Sequence, residues 1–190
     1  MLGGAVAAAA SVLAVAVPAL TGSAQPAYAL TKNPDGSINL KIHDFRDPES
    51  LEGDLATMGV PADITYLPLG KRCGNTRAPF VEGDQVHVDE GELSSKDPSV
   101  RAKTRQLLEK SPSFRAIRPK NGITIYPRFI EPGQIAMIEV MENPVEPSVE
   151  RPGVAWEFSG RLTSGPVEPC QVVDDPSATE IGDATPPPGS

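Results

Sequence analysis

Two cysteines, two histidines and one basic segment are the residues with which this 190-residue chain could do chemistry. Cys73 lies in GKRCGN and Cys170 in VEPCQV. Lys71 and Arg72 beside Cys73 would favour its thiolate, and His43 or His87 could serve as its base, which is the make-up of a thiol nucleophile. As an even pair in an exported chain the same residues would form one disulfide instead. No cysteine-enzyme signature surrounds Cys73, and no C-x-x-C spacing suggests a metal, so the disulfide Cys73–Cys170 is the expectation. Closing a loop of ~100 residues is worth about 4 to 5 kcal/mol in the chain-entropy relation.

His43 is followed by Asp44, and His87 has Asp89, Glu90 and Glu92 nearby. On a strand His87 and Asp89 would share a face while Glu90 points away, and no further histidine completes a set of metal ligands. No metal and no cofactor are therefore expected. A G-x-S-x-G elbow, a P-loop and a G-x-G-x-x-G fingerprint are all missing from the sequence. The reading that follows is a non-catalytic domain for binding, sensing or structural support. Its alternative is a secreted hydrolase or thiol enzyme using Cys73 and His87.

Charge is unevenly spread. Residues 96–120 hold eight basic and two acidic residues, a local +6 against a total of −8, which leaves −14 for the rest. The acidic total argues against general nucleic-acid binding. Arg101, Lys103, Arg105, Arg115, Arg118 and Lys120 are the candidate anion-binding residues, with an anionic envelope polymer, teichoic phosphate, lipid headgroups or a protein as partner. The segment lacks regular aromatic interleaving, so a solvated face balanced by the acidic remainder is the competing reading. The 143–153 stretch, NPVEPSVERPG, reads as a solvated loop that could also make contacts.

These residues need a scaffold, and the hydropathy pattern outlines one. Residues 1–20 are uncharged and match the ~30 Å hydrocarbon layer as a helix, so 1–22 reads as a membrane span or signal segment. Residues 23–29 form a linker or cleavage region, in which Ala27-Tyr28-Ala29 is a small-x-small site that would leave Leu30 as a new terminus. The extracytoplasmic domain is assigned to 30–173 and a polar, Pro-rich tail to 174–190.

Within the domain, Ile38, Leu40 and Ile42 alternate as a half-buried strand. Asp47 and Pro48 open a helix carrying Leu51, Leu55 and Met58, which Gly59 stops. Gly53 inside that helix costs about 1 kcal/mol against Ala and calls for packing to hold it. Ala62, Ile64 and Tyr66 resume a strand period, and this strand-helix-strand order permits a parallel crossover. QVHV, residues 85–88, suggests a short strand. Asp97 and Pro98 open a second helix with Val100, Thr104, Leu107 and Leu108 on one stripe. FRAIRPKNGITIYP reads as a hairpin about Asn121-Gly122, and IAMIEVM as a central strand interrupted only by Glu139. Val154, Trp156 and Phe158 are core candidates. Together these elements give an α+β fold: a small mixed or antiparallel sheet with one or two helices, after an N-terminal apolar helix.

The runs GGAVAAAASVLAVAVPALTG and PAYALTKNPDGSINLKI resemble the membrane-spanning and outer parts of actinobacterial single-span envelope proteins of uncharacterised function. The resemblance implies a tether through residues 1–20 and a domain held outside the cell membrane, with secretion after cleavage at Ala29 as the alternative. It implies no catalytic residues. This chain lacks the Arg-rich segment that precedes the span in such proteins.

Overall fold

The computed structural model describes residues 26–68, 70–84, 90–93, 95–142 and 156–175. The apolar segment 1–22, the QVHV strand with His87, the 143–153 loop, Val154 and the Trp156 side chain lie outside the described residues. Among the described residues no helix is long and apolar enough to cross a membrane.

The class is α+β, but with three sheets in place of one. The first has the order β1-β2-β6-β5, all antiparallel, from β1 (Tyr28–Lys32), β2 (Ile38–Ile42), β5 (Ile117–Pro119) and β6 (Ile123–Ile125). The second is mixed, order β3-β7-β8, from β3 (Ala62–Leu67), β7 (Ile135–Glu142) and β8 (Trp156–Thr163). A two-stranded ribbon joins β4 (Lys71–Cys73) to β9 (Val172–Asp174). The helices are α1 (Pro48–Thr57), α2 (Glu90–Leu93), α3 (Pro98–Leu108) and α4 (Pro112–Ala116). One apolar cluster unites the two larger sheets: Ile38, Leu40, Ile123, Ile125 and Ile117 from the first, Ile64, Ile138, Val140 and Leu162 from the second, with Leu51 and Leu55 of α1.

The period-two residues Ile38, Leu40 and Ile42 are all buried, and β2 places them on one face. The crossover does not form. β2 and β3 belong to different sheets, and the parallel partner of β3 is β7, with Ile64 opposite Ile138. The free edge of β3 is instead occupied by α1, whose Glu52 accepts a hydrogen bond from the Ile64 backbone N–H at 2.7 Å.

Asp47 starts α1 differently from expectation. Its backbone is left-handed (φ 52°) and its side chain makes no cap bond; only its carbonyl accepts, from Ser50 and Leu51. Asp97 does cap α3, accepting from the Ser99 N–H at 2.7 Å. The hairpin turns at Asn121 and Gly122, both at positive φ, as expected. Its forward extension is shorter than the sequence suggested, because Pro112 to Ala116 coil into α4 under a Ser111 cap before β5 begins. The two sheets meet at Gly160 of β8, where a Cβ would fall 2.7 Å from Ile117 Cγ2. Only a glycine lets β5 come this close.

Tyr28 and Ala29, within the 23–29 stretch read above as a linker or cleavage region, belong to β1, and Ala27 is hydrogen-bonded to the residues that follow β2. Ala27 O accepts from the N–H groups of His43 and Asp44, Tyr28 pairs with Ile42 and Ala29 with Lys41. The Tyr28 hydroxyl donates to Asp54 of α1 at 2.7 Å. At the other end β9 continues through Asp174, which pairs with Lys71.

Gly53 is exposed, and a Cβ there meets nothing within 4 Å, so no packing holds it. Gly53→Ala is expected to raise stability by about 0.5 to 1 kcal/mol, read from urea unfolding midpoints.

Two tyrosines give a second test. Burial, with the Asp54 carboxylate adding to it, holds the Tyr28 phenol above its ordinary value. Burial, and then Asp44, Asp47 and Glu52, push Tyr66 up to about 12, and its buried hydroxyl has no hydrogen-bond partner among the described residues. Folding therefore favours both phenols neutral, and this contribution is intact below about pH 10 and is lost as pH climbs through the raised values. Tyr28→Phe should cost about 1 to 2 kcal/mol at neutral pH, whereas Tyr66→Phe should be neutral or slightly stabilising and should flatten the alkaline loss. Unfolding midpoints measured across pH 8 to pH ~12 check both.

Candidate functional site

Cys73 and Cys170 are joined, with a Cα separation of 5.2 Å across 97 residues of sequence, and the structure holds no free cysteine. The bond sits at the end of the β4–β9 ribbon, from the last residue of β4 to the segment just before β9. Gly74 N donates to Gln171 O, Gln171 N donates to the Asn75 carboxamide, and Asn75 Nδ2 donates to Pro169 O. In this state the Cys73 sulfur carries no thiolate. His43 is exposed at the end of β2, and the His87 that would serve as base lies outside the described residues.

The loop after Cys73 is pressed onto the second sheet by charge. Arg77 has a left-handed backbone (φ 61°) and a side chain only 4% exposed. Its guanidinium donates to Asp63 at 2.8 Å, to Glu139 at 3.3 Å and to the Glu168 carbonyl at 3.0 Å. Glu139 is the charge that interrupted the apolar reading of β7, and Arg77 is its partner. Arg161 completes the clamp from β8, donating to the Thr76, Ala78 and Pro79 carbonyls with its guanidinium 4.4 Å over the Phe80 ring.

A different face carries the cations. Ile117, Ile123 and Ile125 point into the core, so Arg118 and Thr124 project from the opposite face of the first sheet. There a chain of stacked rings and guanidiniums forms. Arg118 lies 5.4 Å over Phe114 and 5.5 Å over Tyr126. Arg128 lies 5.2 Å over Tyr126 and 4.9 Å over Phe129, and Arg115 lies 4.5 Å over Phe129. Tyr126 is buried although it lies on the polar face, because the arginines cover it. Stacking leaves the exposed N–H edges of such guanidiniums able to meet a planar oxyanion, although Arg118 Nε is buried without a partner among the described residues and Arg128 Nη1 donates to the Asp35 carbonyl at 3.2 Å.

The first of the cation candidates thus divide. Arg115 and Arg118 come together in this stack, joined by Arg128, which the sequence reading missed. Lys120 is exposed at the hairpin tip, and its carbonyl holds Asn39 and Thr124. Arg101, Lys103 and Arg105 are exposed on α3, with Lys103 on a different side of the helix from the other two. The aromatic interleaving absent from the linear segment arises by folding: Phe114 lies within it, and Tyr126 and Phe129 are brought in by YPRF.

Arg115, Arg128 and Phe129 line a cleft of about 370 Å³, with Val81, Glu82, Pro112, Glu131 and Gln134 as its other walls. Asp84 positions the near wall. It accepts from the hydroxyls of Ser111 and Ser113 at 2.5 Å each and from the Ser113 N–H at 3.0 Å, tying the Val81–Glu82 turn to the first turn of α4. Ser113 Oγ in turn accepts from the Leu162 N–H, which fixes α4 to β8. The far wall is a turn in which Gln134 Oε1 accepts from the Glu131 N–H, leaving the amide nitrogen as its donor end. Among the described residues neither Arg115 nor Arg128 has a carboxylate within 4 Å, and no group of three or more side chains is arranged to hold a metal.

The chain matches no protein-family model, no curated protein and no solved structure.

Reduction should lower stability by about 4 to 5 kcal/mol, the chain-entropy value for a loop of this length. Unfolding with and without dithiothreitol measures it, and the oxidised protein should take up no thiol reagent, folded or denatured, until it is reduced.

Proposed function

We propose that this is a non-catalytic domain of the cell envelope, held outside the membrane, that binds an oxyanion-bearing envelope component through the Arg115–Arg118–Arg128 face. The observation that carries the reading is the stack of three guanidiniums on three aromatic rings beside a cleft. Holding arginines over rings restrains their planar forks at little entropic cost to a ligand, and a carboxylate or phosphate accepts two such N–H groups at once. The disulfide supports an oxidising compartment, since such a bond persists outside the reducing cytosol. The acidic balance of the remaining chain supports a selective surface rather than a general polyanion binder. The apolar residues 1–20 and the resemblance to single-span envelope proteins are the grounds for a membrane tether.

Retention of the full chain on purified bacterial cell wall tests the reading. Bound protein should fall as salt rises. Replacing Arg115 and Arg128 together by Ala should weaken retention about tenfold or more. Replacing Arg101 and Arg105 on α3 should change it little. No retention, or retention that follows the α3 pair, overturns the proposal.

A further inference from the structure

We infer that the cleft between α4, the Val81–Glu82 turn and the Glu131–Gln134 turn binds a small dipolar ligand, one that carries a carboxylate and a protonated amine a few bonds apart, as an amino acid or short peptide does. The inference rests on the binding reading above and narrows it.

The cleft is not simply basic. Two guanidiniums, Arg115 and Arg128, share its lining with two exposed carboxylates, Glu82 and Glu131. Opposite charges in one lining cancel for a distant ion but not for a ligand whose own charges are separated by the same order of distance. A phosphate dianion would meet two carboxylates as well as two cations, and a desolvated like-charge contact opposes binding. A single carboxylate engages the arginine forks in their favoured bidentate geometry, and an ammonium on the same molecule finds Glu82 or Glu131. Gln134, with its oxygen committed to its own turn, adds a neutral donor.

The walls are built to hold these groups still. Arg115 and Arg128 are both stacked on Phe129, and Arg128 also donates to the Asp35 carbonyl at 3.2 Å. Glu82 rides on the turn that Asp84 fixes to two serines. Glu131 sits in the turn closed by Gln134. Three segments distant in sequence thus bring charges of both signs to one cavity, each through its own hydrogen bonds. The volume, about 370 Å³, is within the range of small-molecule sites, ~300 to 1,000 Å³, and near its lower end.

Titration of the full oxidised chain with alanyl-alanine, followed by calorimetry, is the test, run beside N-acetyl-alanyl-alanine, alanyl-alanine amide and inorganic phosphate. Saturable binding of alanyl-alanine is expected, weakened about ten- to hundredfold by masking either end, since each mask removes a charge-assisted contact. Arg115→Ala should weaken alanyl-alanine and its N-acetyl form alike. Glu82→Gln combined with Glu131→Gln should weaken alanyl-alanine yet leave the N-acetyl form unchanged, and since both residues are exposed the thermal midpoint should stay in place. The inference is overturned if none of the probes binds, if the N-acetyl form binds as tightly as the free dipeptide, or if phosphate binds more tightly than either. Wall retention separates the two readings. Salt-sensitive retention lost with Arg115 and Arg128 but untouched by the Glu82 and Glu131 pair, with no dipeptide binding, removes the dipolar ligand and keeps the oxyanion face. Dipeptide binding without any wall retention does the reverse.

Discussion

Arg77 is the charge around which the second half of the molecule is arranged. Its side chain is 4% exposed, its backbone sits in a region that costs a non-glycine residue about 1 to 2 kcal/mol, and yet it bridges Asp63 on β3 and Glu139 on β7. Buried ion pairs recover their desolvation cost only when the geometry is good and the remaining donors are satisfied, and here Nε donates to the Glu168 carbonyl as well. The strained backbone aims the guanidinium, and the guanidinium holds the loop. Because Glu168 also donates its N–H back to the Arg77 carbonyl, the approach to Cys170 is aligned with the segment after Cys73. The disulfide joins β4 to the segment just before β9, both of which adjoin residues that the Arg77 contacts hold.

The Arg115–Phe129 region depends on this arrangement at one remove. The clamp flattens residues 74–80 against the second sheet, and the chain then passes through Val81, which is buried in the core, to Asp84. From there the two serines of α4 take over. The same carboxylate that satisfies the first turn of a five-residue helix brings Glu82 into the cleft that Arg115 also lines, so stability and site geometry share one residue. Ile117 against Gly160 then fixes β5 to β8, and with it the Arg118 end of the stack.

Much of the scaffold was legible in the sequence, because it is encoded in short-range pattern. The alternation at Ile38, Leu40 and Ile42, the Pro48 start of α1, the Asp97 cap, the Asn121-Gly122 turn and the apolar run of β7, broken only by Glu139, each report local constraints, and the cysteine count sufficed for the disulfide. What was missed is non-local. Nothing in ADITYL distinguishes a strand that pairs with β2 from one that pairs in parallel with β7. Tyr28 and Ala29 read as part of a linker or cleavage region, and their place in β1 comes from pairing with Ile42 and Lys41 of β2. Arg77 carries no signal beyond being one arginine among many. The stack was half visible: Arg115 and Arg118 were chosen by charge density, but Arg128, Tyr126 and Phe129 lie past the hairpin. The alternation of rings and cations in YPRF was the signal that could have found them.

The cross-link between Cys73 and Cys170 also defines a load path. When the two ends of the chain are pulled apart, the stretch between the two sulfurs, a sequence separation of 97, cannot be drawn out while the bond lasts. At ~3.5 Å per residue that withholds about 340 Å of slack. Tension between the two chain ends therefore crosses from Cys73 to Cys170 and bypasses the covalent backbone that carries α3, α4 and the ring-stacked arginines.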